Sequence, residues 1–138
     1  MICWDKDQPW ENFSQWEMAW TSFDSTASLF RWNNAMNEPG KIHPTQKPVA
    51  LYKWLLTRYA KPGMKILDTH GGSGSDCIAV HDVNADLISR GLDPMSMTWM
   101  ELDADYYAAA VKRYETHAAQ LHLFEPGPEA KPEQGTLL

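Results

Sequence analysis

The sequence predicts an α/β fold built on a short parallel sheet, and three observations carry that expectation. Residues 64–67 form a compact apolar run that ends on Asp68 and opens through Thr69-His70-Gly71-Gly72-Ser73-Gly74-Ser75 into a helix. Residues 96–102, SMTWMEL, read as a second strand with an acid, Glu101, at its end. Helical periodicity follows from residue 104 to about 120, where Tyr107, Ala110, Val111, Tyr114, Ala118 and Leu121 trace one face. Strand, glycine loop and helix in that order are how open α/β sheets take up a nucleotide-like ligand at the carboxyl ends of their strands.

The amino-terminal segment, residues 1–42, is dense in tryptophan and reads as a β-rich unit. Short strands are expected at 1–4, 17–23 and 28–32, with Asp24-Ser25-Thr26 turning between the last two. Trp4, Trp10, Trp16, Trp20 and Trp32 could stack on bases, but aromatics at this density more often bury against a sheet or a partner. Residues 33–42 form a polar loop. His43-Pro44-Thr45-Gln46-Lys47-Pro48 then leads into a helix that Thr45 is placed to cap, with Leu51, Trp54, Leu55 and Tyr59 on one face. Pro62-Gly63 ends it. After the glycine loop a helix runs over 75–83, with 84–90 able to extend it, Gly91 to close it and Asp93-Pro94 to turn the chain. The expected organisation is one domain over 1–124, made of the β-rich unit (1–42) and a ligand-binding part (43–124), followed by a disordered tail over 125–138 rich in proline and charge.

The chemistry of the two acids narrows the ligand. Glycines let a backbone approach closely while the first N–H groups of the next helix face the ligand. Asp68 disfavours a phosphate, and no P-loop lysine follows, so the site suits a ligand with a positive group such as an amino acid ammonium or a sulfonium. Glu101 is the expected ribose-binding acid, because a carboxylate accepts two hydrogen bonds from a diol, with Asp103 second. Asp103 is also placed to cap the following helix.

The formal net charge of −6 argues against binding DNA by broad phosphate neutralisation. Cations nevertheless cluster in the centre, at Arg31, Lys41, Lys47, Lys53, Arg58, Lys61 and Lys65 against Glu38, which allows local contact with nucleic acid. Lys53, Arg58 and Lys61 also fit a solvated helix face. Cys3 and Cys77 are too few for a disulfide framework, and neither they nor the five histidines have metal-ligand spacing, so no metal is expected. No apolar run reaches the length of a membrane span and MICWDKDQPW lacks a signal pattern, so a cytoplasmic location is expected, that of the host cell if the chain is phage-encoded.

The segment HPTQKP at 43–48, one helix before DTHGGSGS at 68–75, closely resembles the DNA amino-methyltransferases that modify adenine N6 or cytosine N4. The tryptophan-rich segment resembles the region before HPTQKP in phage-type members, so the likeness covers nearly the whole chain. It implies a partial Rossmann-like S-adenosylmethionine-dependent methyltransferase fold. It also implies that S-adenosylmethionine is held by His43, Pro44, Thr45, Gln46 and Lys47, by the loop residues Asp68, Thr69, His70, Gly71, Gly72 and Gly74, and by Glu101 and Asp103 in WMELD. The loop departs from the family pattern at Thr69, where proline is usual, and at His70, where an aromatic is usual.

One part of the family's apparatus is absent from the sequence. The [DNS]PP[YFW] motif that holds the flipped base has no match, since Asp7-Gln8-Pro9-Trp10 and Asp93-Pro94-Met95-Ser96 both lack its pattern. The resemblance therefore implies the carboxyl-terminal part of such an enzyme, with no catalytic residue assignable. It also implies an uncovered central strand edge, closed by the tryptophan-rich unit, by a second copy in a homodimer or by a partner chain that supplies the missing strands. The functions in competition are a DNA methyltransferase completed by another segment, a non-catalytic binding module acting on a partner protein or DNA, such as a phage regulator or anti-restriction factor, and an inactive gene remnant.

Overall fold

The computed structural model describes residues 1–8, 14–33 and 40–122. Expectations for Trp10, for a turn at Pro39 and for the 125–138 tail lie outside these residues. Among the described residues there are five strands and three helices, in the order β1 (Ile2–Asp5), β2 (Trp16–Ala19), β3 (Ser28–Arg31), α1 (Val49–Tyr59), β4 (Lys65–Asp68), α2 (Ser75–Ser89), β5 (Ser96–Trp99) and α3 (Ala104–His122). The fold is mixed α/β, with one small sheet of three strands and one of two.

β1 is the centre of the first sheet, antiparallel to β2 with Cys3 opposite Met18 and parallel to β3 with Cys3 opposite Leu29. Its alternation places Ile2 and Trp4 in the interior, as a strand with one buried face requires. The Trp4 indole N–H donates to the Trp32 carbonyl at 3.3 Å. The other described tryptophans of this unit behave differently: Trp16, Trp20 and Trp32 are exposed, Trp20 by 83 %.

Helix α1 is apolar on two sides and joins the two halves of the chain. Val49, Tyr52 and Leu56 pack on Ile78 and Ala79 of α2. On its other side Trp54 lies 5.4 Å from Phe30, and Tyr59 stacks on Phe23 at 4.8 Å with its hydroxyl donating to Ser28 Oγ at 3.3 Å. Trp54 and Tyr59 thus face the first sheet, while α2 is met by a set of residues that the sequence reading did not name. Thr45 does not cap this helix. Pro48 occupies the N-cap position without a side-chain cap, because the Thr45 hydroxyl and amide are both engaged with His43 Nδ1, at 3.1 and 3.2 Å.

The turn after α1 has Gly63 at φ +74°, with the Met64 amide donating to Lys61 O, the geometry that a Pro-Gly pair favours. β4 then pairs in parallel with β5, Leu67 opposite Thr98 and Asp68 opposite Trp99. Both strands occupy slightly different residues than expected, since β4 includes Asp68 and β5 stops at Trp99. Ile66 and Met97 point into a core with Val80, Leu87 and Met95. Burying a side chain as deeply as Val80 contributes about 1.5–3 kcal/mol. Leu67 points the other way and is 62 % exposed, so helices cover one face of this sheet only.

α2 extends without a break to Ser89. It closes as expected at Gly91, where the Gly91 amide bonds to Ile88 O and the Leu92 amide to Leu87 O, both at 2.9 Å, with Gly91 at φ +69°. That pairing satisfies the last carbonyls of the helix. The connection from α2 to β5 is held by Asn84, whose side chain accepts from the Met95 amide at 2.7 Å and donates to the Met95 carbonyl at 2.8 Å. Among the described residues no strand pairs with the other edge of β4. The tryptophan-rich unit forms its own sheet and does not fill that position.

Candidate cofactor site

The carboxyl ends of β4 and β5 open onto a cavity of about 470 Å³ bounded by the 43–47 loop, the glycine loop and the residues after β5. Nine of the residues singled out from the sequence line it: His43, Thr45, Gln46, Lys47, Thr69, His70, Gly71, Gly72 and Glu101. Tyr52, Ser73 and Leu102 complete it. A second cavity, about 510 Å³, lies between α2, β5 and α3 and is walled mainly by apolar side chains such as Val80, Met95, Met97 and Val111. The first is the better candidate site, because convergent polar groups at strand ends, and not volume, mark ligand binding in such sheets.

Glu101 organises the loop. Its Oε2 accepts from the Gly72 amide at 2.8 Å and its Oε1 from the Asp103 amide at 2.9 Å. These two backbone donors, Asp103 first and Gly72 second, hold its carboxyl below the usual carboxylate range. Each oxygen keeps a further lone pair, so an ionised Glu101 can still accept from a ligand hydroxyl pair. The loop is also tied from the opposite side by α3, where Arg113 Nη1 donates to Ser73 O at 2.9 Å and Ser75 Oγ at 3.0 Å.

The 43–47 loop is fixed by its own hydrogen bonds. The Gln46 side-chain carbonyl accepts from the Ile42 amide at 3.1 Å, and the Gln46 amide donates to His43 O at 3.1 Å. His43 packs edge-on against Tyr106 at 4.4 Å between ring centres. Lys47 Nζ lies 3.5 Å from Glu17, which also pairs with Lys6 at 2.8 Å. Burial raises the Glu17 pKa, but Lys6 and Lys47 outweigh it and the group stays below the usual range. β2 is thereby anchored to the cavity wall.

Four of the residues singled out from the sequence do not line the cavity. Pro44 is exposed. Gly74, at φ +67°, has α3 beside it, with Ala110 close enough to crowd any side chain there, and it borders the apolar cavity. Asp103 is a helix cap, its Oδ1 accepting from the Asp105 and Tyr106 amides at 2.9 and 3.0 Å. Asp68 is half-buried at the end of β4, where its Oδ1 accepts from the His70 amide at 2.8 Å.

The sequence reading missed Tyr52, Ser73 and Leu102, and it also missed Asp76. Asp76 stands in the first turn of α2, only 6 % exposed, and neither carboxylate oxygen has a hydrogen-bond partner. Burial, and then the neighbouring Asp68, push its pKa up to about 7. In the sequence it looks like an ordinary acid favouring a helix N-terminus, and only the packing reveals its isolation.

Four of the central cations are engaged within the fold, among them Arg31 with Asp5 at 2.7 Å and Lys47 with Glu17. Lys53 pairs with Asp82 at 3.0 Å, and the Arg58 guanidinium lies over Trp54 and Tyr59 at 5.5 and 5.9 Å. Among the described residues no helix is long and apolar enough to cross a membrane.

A family model described as DNA methylase matches residues 3–112. No curated protein matches the chain. The matched span contains the 43–47 loop, the glycine loop, β4, β5 with Glu101 after it, and about the first half of α3, and the chain belongs to the DNA methylase family of the adenine N6 and cytosine N4 kind.

Proposed function

We propose that this chain is the S-adenosylmethionine-binding part of a DNA amino-methyltransferase with a partial Rossmann-like fold, completed by a segment that holds the target base. The observation that carries this reading is the convergence of the 43–47 loop, the glycine loop and Glu101 on one polar cavity. Its volume lies within the range of pockets that take ligands of this size.

The residues present fit the cofactor. Glu101, ionised and already aligned by two amides, offers its remaining lone pairs to the ribose hydroxyls. The backbone and hydroxyl around Thr45, Gln46 and Lys47 offer donors to the carboxylate of the methionine part. Asp68, at the end of β4 with its Oδ1 accepting from the His70 amide, is the acid assigned to the ammonium. The bound cofactor supplies an activated methyl group, while these side chains fix its position and keep its charged groups compensated.

The reaction needs acceptors that orient the exocyclic amine of an extruded base, and no sequence motif for them was found. The proposal assigns them to a partner chain, docked where the second edge of β4 and the exposed Leu67 are uncovered by the described residues. A purified chain incubated with tritium-labelled S-adenosylmethionine and unmethylated DNA should retain the cofactor and leave the DNA unlabelled. Label on the DNA, lost with Asp68→Ala, would overturn the need for another segment. Absence of cofactor retention by the folded chain would overturn the cofactor assignment.

A further inference from the structure

We propose that Glu17, on the tryptophan-rich sheet, is a positioning residue of the cofactor site, which holds the Lys47 ammonium at the cavity wall to receive the ligand's carboxylate. The inference rests on the cofactor reading above and deepens it by adding Glu17 and its anchor Lys6, two residues that do not line the cavity themselves.

Its starting point is a strand whose polarity is inverted. β2 pairs with β1 so that Glu17 stands opposite Trp4 and Met18 opposite Cys3, and residues paired in this way share a face of the sheet. Trp4 is buried on the inner face, so the register turns Glu17 inward and leaves Trp16 and Met18 exposed. A strand with one covered face ordinarily does the reverse, with apolar side chains inward and charges outward. An acid turned to the covered side costs stability unless partners compensate it. Glu17 has two.

Lys6 is the fixed partner. Its Nζ lies 2.8 Å from Glu17 Oε1 and its side chain is 12 % exposed, with the ammonium 5.4 Å from the centre of the Trp4 ring. The Lys6 amide also donates to Gln15 O at 2.9 Å, continuing the pairing of β1 with β2. Glu17 Oε2 then faces Lys47 Nζ at 3.5 Å. Sheet, acid and cavity wall are thus joined by one row of charges, from Lys6 through Glu17 to Lys47.

Two ammonium groups share one carboxylate, so the row keeps a net positive charge, and Lys47 is the member that lines the cavity. An ammonium carries three donors, so Lys47 can face Glu17 and still take a second acceptor. Its long stem is rotamer-rich, and ordering such a side chain during binding costs affinity. Glu17 orders it in the folded chain, before a ligand arrives. The acid has the same sign of charge as a ligand carboxylate, but Lys6 neutralises it at 2.8 Å, so the ordering of Lys47 prevails. Ligand binding at the strand ends is thereby tied to the tryptophan-rich sheet.

The test compares S-adenosylmethionine with its decarboxylated form, which keeps the ammonium and the adenosyl group and lacks only the carboxylate, by calorimetry on the full chain. Lys47→Met should weaken S-adenosylmethionine about tenfold and Glu17→Gln about threefold or more, while the decarboxylated form binds equally to all three proteins. In a Lys47→Met background, Glu17→Gln should change nothing further, because it acts through Lys47. A merely structural role for Glu17 would instead weaken both ligands together, and that result overturns the assignment. So does unchanged or raised affinity of Glu17→Gln for S-adenosylmethionine, or a loss that persists in the Lys47→Met background; in each case binding by the wild type leaves the cofactor site standing. If the folded wild type binds neither ligand, the cofactor site falls and the positioning role with it.

Discussion

Gly71 and Gly72 are adjacent, yet each is glycine for a different physical reason. A methyl group on Gly71 would land inside the Trp99 indole, so Gly71→Ala must displace a packed ring and should cost about 1–3 kcal/mol. Gly72 has room, with His43 no nearer than 3.7 Å, but stands at φ +53°. Gly72→Ala should therefore cost about 1–2 kcal/mol of backbone strain. Urea denaturation of both variants checks these values, and adding a bulkier side chain at each separates the causes: the penalty should grow with size at Gly71 and stay nearly constant at Gly72. The sequence made the loop itself legible through its glycines, and Glu101 through its place at the end of a strand. It could not reveal that Gly71 answers to Trp99, because that contact joins residues brought together only by the β4 and β5 pairing. Asp76 was hidden for the same reason, since its unpaired state depends on what packs over it.

At the scale of elements, the two-sided packing of α1 was legible only on the side that meets the aromatic residues of the first sheet. Helical periodicity in so apolar a segment does not say which stripe meets which neighbour. The closing glycine of α2 was legible because Gly91 performs a local task that needs no tertiary partner. The polar link among the helices was not. Asp82 on α2 receives Lys53 of α1 at 3.0 Å and His117 of α3 at 2.6 Å, joining residues far apart in the chain. Burial raises the Asp82 pKa, but His117 and Lys53 outweigh it and hold the carboxyl below the ordinary range. Asp82→Ala should destabilise the fold by about 1.5–3 kcal/mol. Because the folded-state pKa is depressed, this contribution is complete above the ordinary aspartate value near ~4 and disappears as pH falls through the lower folded value. Urea midpoints measured from neutral pH down to about pH 3 should fall for the wild type and converge on those of Asp82→Ala.

Across the whole molecule, the described sheets amount to two separate pieces. Helices cover one face of the β4 and β5 pair, leaving Leu67 on the other, and β4 pairs on one edge alone among the described residues. An open strand edge beside exposed apolar surface invites pairing, and this is the position that the proposed completing segment would occupy. The acidic total charge and the engagement of Lys53 and Arg58 within the fold argue that this chain contributes little to DNA affinity by itself. The central claim is narrower than catalysis: the cavity organised by Glu101 holds the adenosyl cofactor. Calorimetric titration of the purified chain with S-adenosylhomocysteine, in the wild type and in Glu101→Ala, tests it most directly. The account predicts one site per chain, with affinity reduced at least about tenfold on losing the charged acceptor, corresponding to about 1.5 kcal/mol or more. No binding by the folded wild-type chain, or equal affinity in the two proteins, would contradict it.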